Sequence, residues 1–339
     1  MPTSPALRGQ DHEAPGLSRA AGVAASRNPT VAGVSGPPAA SPLAPENVAR
    51  FHRDGFVLVR GFYDRERDIA PIQRGARAVI ELVRARHGLP AAPDGHPPAS
   101  PDAFDEPYLD LLERNRAWAG EVYDAVKQIP AFVRLVADPR HEAVFRQLRG
   151  AGAIPGLAAG GHGIRIDNPG EERYRADWHQ EYHGQLRSPD GVTFWSSLVP
   201  VTEEMGPVRF CVGSHARGLL RVHARDPRNP DKTGAYGLVL EHRDLEIASY
   251  PQVAPLAEPG DLVLIDFAVL HSSGFNRGGR ARWSLQARYF NFAHPTGVRI
   301  GWCGSFAAGQ DFARVHPELV VPEAPSAAAA GSSRGGGGS

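Results

Sequence analysis

The 339-residue chain carries 37 basic and 37 acidic side chains, a formal net charge of zero, so neither a nucleic acid nor an anionic membrane surface is indicated as a partner. Its two cysteines, Cys211 and Cys303, cannot build a disulfide framework and sit in no paired metal-ligand spacing. The longest apolar runs, such as Leu262 to Leu270 with Asp266 inside it, are far too short to cross a bilayer.

The first residues lack the basic-then-apolar order of a secretory signal, so a reducing, cytoplasmic setting is expected. Residues 1–43 are rich in Ala, Pro, Ser and Gly with little apolar periodicity, a composition expected to form a disordered tail. Residues 324–339 end in Gly-Gly-Gly-Gly-Ser and read as a flexible linker. Between them, 44–323 is expected to form a single domain with a helical front half over 44–150 and a β-rich core at 56–60 and 161–293.

Pro45 suits the first position of a helix, Glu46 its positive end, and Gly55 the left-handed residue after it. Phe56 to Arg60 reads as a strand stopped by Gly61. Asp64 is a candidate cap for a helix through Ile69, Ile72, Ala76, Ile80 and Val83, which recur at helical spacing. Gly88-Leu89-Pro90 ends it, a Pro-rich loop follows to Pro101, and further helices are expected over Pro107–Lys127 and Ala131–Arg149, with a break at Pro130 and another near Pro139. From Gly161 the texture becomes β-rich, with strands expected at Gly163–Asp167, Ala176–His183, Val192–Val199, Val208–Val212, Asp261–Phe267 and Trp283–Phe292. Turn signals such as Asn168-Pro169-Gly170 separate them. Short strands so spaced argue for a mainly β fold with helical additions (α+β), a cupin-like jelly roll or double-stranded β-helix packed on N-terminal helices.

His179 and Glu181 stand two positions apart in Trp178-His179-Gln180-Glu181-Tyr182-His183 and would share one face of a strand. A second histidine from a distant strand, His271, would complete three ligands on one side of an iron, leaving the other side open. The triplet alone is weak, for His52-Arg53-Asp54 and His242-Arg243-Asp244 repeat it at an expected helix end and surface turn. His183 falls on the same strand face and is a candidate pocket residue. Phe194 and Trp195 alternate on a strand, so one of them faces inward. His215 closes the Gly213-Ser214-His215 turn and reads as structural.

Several pieces in order resemble the phytanoyl-CoA dioxygenase family of Fe(II)/2-oxoglutarate oxygenases. They are Phe51-His52-Arg53-Asp54-Gly55-Phe56-Val57, the Trp178 to Glu181 segment, Glu203 to His215, Pro259-Gly260-Asp261, His271 to Asn276, and Arg282. The resemblance runs from Glu46 to Ala293 and implies a dioxygenase using Fe(II), 2-oxoglutarate and O2 on a small-molecule substrate. It implies His179, Glu181 and His271 as iron ligands, and Arg282, eleven positions after His271, as the grip on the far carboxylate of 2-oxoglutarate. A guanidinium suits that task because its planar fork matches a carboxylate. Ser284, two residues on, would share the carboxylate, and Ser273 and Gln180 match positions that help hold the cosubstrate. Arg165, Arg175 and Arg209 lie on expected strands where the family's pocket is built, and with Trp195 and His183 are candidate substrate contacts.

One residue departs from the pattern: the family ordinarily has aspartate where this chain has Glu181. The longer arm keeps the charge and oxygen donor, so iron binding is expected to survive with a shift of metal or strand. Retention of the carboxylate favours hydroxylation over halogenation. The expected reaction is therefore hydroxylation of a metabolite, with succinate and CO2 released. Two other readings stay open, a metal-dependent isomerase or epimerase without 2-oxoglutarate and a non-catalytic jelly-roll ligand-binding module.

Overall fold

In a computed structural model of the chain, which describes residues 42–90, 101–226, 238–305 and 311–322, prolines and capping side chains set the helix limits. Helix α1 (Pro45–Asp54) starts on Pro45 and stops at Gly55, whose φ of 81° lets its N–H reach Phe51 O. After β1 (Phe56–Val59), Asp64 caps the Arg67 N–H and a short π turn leads into α2 (Ala70–Arg86). The helix expected over 107–127 divides into α3 (Glu106–Arg114) and α4 (Arg116–Ala125), because Asn115 is extended and caps the second piece. The stretch 131–149 breaks near Pro139 as expected, into α5 (Pro130–Val136) and α6 (Pro139–Arg149). There Pro139 has no N–H to continue the ladder, and Asp138 caps the Arg140 N–H. The tails expected at 1–43 and 324–339 lie outside the described residues except at Pro42 and Leu43. Leu43 is buried, and Gln147 bonds both its N–H and its C=O, so order begins slightly earlier than expected.

The β-rich half follows as β2 (Pro155–Leu157), β3 (Gly163–Asp167), the one-turn α7 (Glu181–Gly184), β4 (Gln185–Leu186), β5 (Gly191–Ser197) and β6 (Val208–Cys211). Then come β7 (Val222–His223), β8 (Val239–Leu240), α8 (Arg243–Ala248), β9 (Gln252–Val253), β10 (Leu262–Asp266), β11 (His271–Ser273) and β12 (Arg282–Asn291). Helix α9 (Pro295–Ile300), β13 (Gly304–Ser305) and α10 (Phe312–Val315) complete the described chain. One antiparallel sheet has the order β1-β10-β5-β12-β2, with β3 also on β12; a second has β11-β6-β9. These two sheets form the jelly roll, and among the described residues no helix is long and apolar enough to cross a membrane.

Strand alternation explains the layering. On β12, Trp283, Leu285, Ala287 and Tyr289 enter the core shared with the helices, together with Val192 and Phe194 of β5. The opposite parity of β12 carries Arg282, Gln286 and Arg288 into a cavity, joined there by Thr193 and Trp195 of β5. A smaller core of Trp195, Phe210, Val263 and Ile265 fills the space between the sheets.

A glycine contact fixes β6 against β11. A Cβ on Gly206, whose φ is +65°, would lie 2.5 Å from the Gly274 carbonyl carbon and the Phe275 oxygen. Gly206→Ala is expected to cost about 2–5 kcal/mol, from left-handed strain plus overpacking against backbone that cannot yield. A lowered urea midpoint would show this; an unchanged midpoint would contradict the packing.

One expected strand does not form. Between Ala176 and His183 only His179 is bridged, its N–H bonding His271 O at 3.0 Å and its C=O accepting from the His271 N–H at 3.1 Å. Directly afterwards the chain turns into α7. The cause is Gln180, whose amide donates to Gly218 O and Ala268 O and accepts from the Leu220 N–H, pulling the segment out of the sheet.

Candidate metal centre

His179 and His271 arrive on the bridged pair just described, and Glu181 follows on the first residue of α7. Their ligand atoms all lie within 4.8 Å of one another. Glu181 Oε2 stands 3.6 Å from His271 Nε2 and 4.0 Å from His179 Nε2. Bonds of about 2.0–2.1 Å from a first-row metal to imidazole would draw such a set slightly inward. Thus the three predicted ligands meet, although through a bridge and a helical turn rather than one strand face.

The tautomers follow from the partners. His179 Nδ1 lies 2.7 Å from Asp177 O and His271 Nδ1 lies 3.0 Å from Val269 O. A carbonyl only accepts, so each Nδ1 carries the hydrogen and each Nε2 presents its lone pair, the usual orientation of a ligating histidine. Burial, followed by the neighbouring His271, pushes His179 down to about 4, so its ring is neutral at pH 7. Burial alone would raise the Glu181 carboxyl, but the Arg288 guanidinium and the two imidazoles hold it well below the ordinary carboxylate range. Two imidazoles bonded through Nδ1 to carbonyls, with Nε2 turned to the carboxylate, form with it a donor set suited to iron.

Arg282 is buried beside the cavity and directly faces Asp167 across β3, its Nη2 donating to Asp167 Oδ2 at 2.8 Å. Burial would raise Asp167, yet Arg282 and Arg165 hold it at about 2. The guanidinium is thereby fixed through Nη2, while Nε and Nη1 are buried without a partner, as are Ser284 Oγ and Thr193 Oγ1. Buried polar atoms without a partner mark a place where a ligand's oxygens belong. The residues present fit the carboxylate of a 2-oxo acid.

The remaining expected contacts divide. Ser273, His183, Trp195, Arg165 and Arg175 line the cavity of about 890 Å³ with the three ligands. Arg165 is held by Asp167 and Tyr174 O, and Arg175 by Glu172 and Ser273 O. His183 Nε2 donates to Leu220 O, and its ring packs on Phe312. Arg209 is a correction: it is exposed, bonded to Gln252 and laid over Trp178, because its parity on β6 turns it outward. Gln180 also lines the cavity, with its amide held by the three backbone bonds already given. His215 is structural as expected, bonding His52 O.

Sequence reasoning missed Arg288, Gln286 and Thr193, which also line the cavity. The signal was available: 286 and 288 share the parity of Arg282 and Ser284 on one long strand.

The family description that matches residues 51–284 is phytanoyl-CoA dioxygenase (PhyH). The chain is 24% identical over 251 residues to an ectoine dioxygenase of Sphingopyxis alaskensis, covering 70% of this chain and 72% of that protein. Among solved structures, EctD from S. alaskensis with 2-oxoglutarate and 5-hydroxyectoine is 20% identical, with a TM-score of 0.49 over 75% of this chain and 78% of the other. The non-heme epimerase SnoN from nogalamycin biosynthesis is likewise 20% identical, with a TM-score of 0.42 over 73% and 81%. The family match covers well over half of the chain and includes both histidines, the glutamate and Arg282, so this protein belongs to the phytanoyl-CoA dioxygenase family and is an Fe(II)- and 2-oxoglutarate-dependent dioxygenase.

Proposed function

We propose that His179, Glu181 and His271 hold the iron, that Arg282 and Ser284 receive the far carboxylate of 2-oxoglutarate, and that the enzyme hydroxylates a small-molecule metabolite, releasing succinate and CO2. The observation that carries this reading is the meeting, around one cavity, of three converging ligand atoms with the unpartnered Nε and Nη1 of Arg282. Iron with 2-oxoglutarate and oxygen supplies the oxidising power. The chain's own residues bind, orient and exclude water. Arg282 offers its unpartnered donors to the carboxylate, with Ser284 and Thr193 as further hydroxyl partners. Trp195, Val208 and Ile265 give the wall an apolar stretch, and Val222, Leu238 and Leu240 give another. A volume of about 890 Å³ accommodates a cosubstrate and a modest substrate together. The similarity to an enzyme named for ectoine supports a small-molecule substrate. The catalytic unit is one domain over 44–323, and a reducing cytoplasm suits its free Cys211 and Cys303.

Anaerobic titration of the protein with Fe(II) and 2-oxoglutarate should give a weak visible charge-transfer band that is absent in His179→Ala. Lack of the band at saturating iron would refute the assignment.

A further inference from the structure

Another arginine of the cavity wall, on the same strand as Arg282, has no place in that scheme. Arg288 lies three pleats beyond Arg282 on the same face of β12, about 20 Å along the strand. Its Nε donates to Glu181 Oε1 at 2.6 Å. The rest of the guanidinium is anchored, Nη1 to Gly161 O at 3.0 Å and Nη2 to Gln286 Oε1 at 2.7 Å. A cation bonded this way cannot swing to a substrate without breaking three bonds, so its role is toward the glutamate.

We propose that Arg288 is the positioning residue of the metal centre: it pins Glu181 Oε1 so that Oε2 alone faces the metal, and it is the reason a glutamate works where the family ordinarily has aspartate. This inference rests on the metal site proposed above. Oε2 is the atom that approaches both imidazoles, at 3.6 and 4.0 Å, whereas Oε1 is the atom Arg288 holds. A carboxylate with one oxygen committed binds a metal through the other, leaving more of the coordination sphere for cosubstrate and oxygen. The glutamate arm has one more rotatable bond than aspartate, and a charge-assisted bond at its tip removes that freedom before the metal arrives. The chain's turn into α7 makes the length necessary. Glu181 no longer stands on a strand pleat beside His179, and its carboxylate has to reach both the imidazoles and β12. Shortening it by a methylene gives up one of these contacts.

The test is a double-mutant cycle read by Co(II) binding to the metal-stripped full chain, with calorimetry for affinity and the visible cobalt spectrum for coordination. Arg288→Met should lose about 10- to 100-fold in cobalt affinity, the usual effect of removing a partner of a metal ligand. Its cobalt spectrum should also change, because the freed carboxylate can engage through both oxygens. Glu181→Asp should lose a comparable factor despite restoring the family's residue. The double variant should bind no more weakly than the poorer single one, since both changes break the same link. Should Arg288→Met fail to fold, Arg288→Lys takes its place in the cycle, because an ammonium cannot reproduce the three-point anchorage. Losses that multiply in the double variant, or an arginine variant with wild-type affinity and spectrum, would overturn the clamp. His179→Ala separates the two readings: if wild type binds cobalt no better than that variant, the metal site itself falls, and the clamp with it.

Discussion

Arg282→Met should weaken 2-oxoglutarate binding by about 100- to 1,000-fold, the range expected when one partner of a buried charged pair is truncated. The guanidinium is buried, with Nη2 committed to Asp167 and with Nε and Nη1 bonded to nothing. Nε and Nη1 lie on different edges of the fork, so a carboxylate takes one of them together with the second hydrogen of Nη2. Asp167 keeps the fork from rotating, so the donors need not be ordered when the cosubstrate arrives. Arg282→Lys should recover little, because one ammonium cannot keep Asp167 and also offer two parallel donors. Cobalt affinity should hold within a few-fold, since no hydrogen bond links Arg282 to His179, Glu181 or His271 among the described residues. Calorimetry of 2-oxoglutarate with the cobalt-loaded protein reads both quantities. A cosubstrate affinity within threefold of wild type would refute the assignment of Arg282. Both variants should also unfold more easily than wild type, because Asp167 keeps only Arg165 and Arg165 is shared with Tyr174 O.

How much of this was legible in the sequence depends on how local each cause is. Pro45, Gly55, Asp64 and Pro130 act within one turn, and their helix limits follow from residue type alone. Pro139 marks its break in the same way, whereas Asn115, equally local, divides what apolar spacing presents as one helix. The β strands could be read wherever both faces are buried, as on β5 and β10, because apolar content there is continuous. His179 to His183 could not be read this way. Gln180 reaches partners 38, 40 and 88 positions away, and no periodicity carries that information. The metal ligands were legible through their resemblance, and geometry replaced the strand face with a bridge and a turn. Arg288 had the right parity, but an arginine on a strand defaults to solvent unless its partner is known. Beyond Ala293 the resemblance stops, and the sequence offered no hint that Phe312 and His316 pack behind the site. There the Tyr182 hydroxyl bonds His316 Nε2 at 2.6 Å.

Below pH 6.5 the metal-free protein should lose stability steeply, and His141 should account for a measurable share. Burial pushes His141 and His183 down to about 4, and both side chains are almost wholly enclosed. An unfolded histidine takes up a proton near 6.5 while the folded one stays neutral, so between about 4 and 6.5 the unfolded state binds more protons and stability falls as pH falls. Each such histidine contributes about 2 kcal/mol of loss between pH 6.5 and 5, as an order of magnitude. Depressed carboxylates act lower: burial opposes ionisation of Asp167, but Arg282 and Arg165 set it at about 2, so its contribution is present above the ordinary carboxylate range and is lost only in stronger acid. Asp105, raised by burial, works in the opposite sense near the ordinary carboxylate range. His141 is the clean probe, for it stands in the helical half, bonded through Nε2 to the Tyr63 hydroxyl at 2.7 Å and packed against Phe194. His141→Gln keeps a hydrogen-bonding group for Tyr63 and removes the titration. Urea unfolding at pH 7 and pH 5 should show the variant losing about 2 kcal/mol less than wild type across that interval. An identical loss in both proteins would mean that His141 is charged in the folded state, or that the acid transition begins elsewhere.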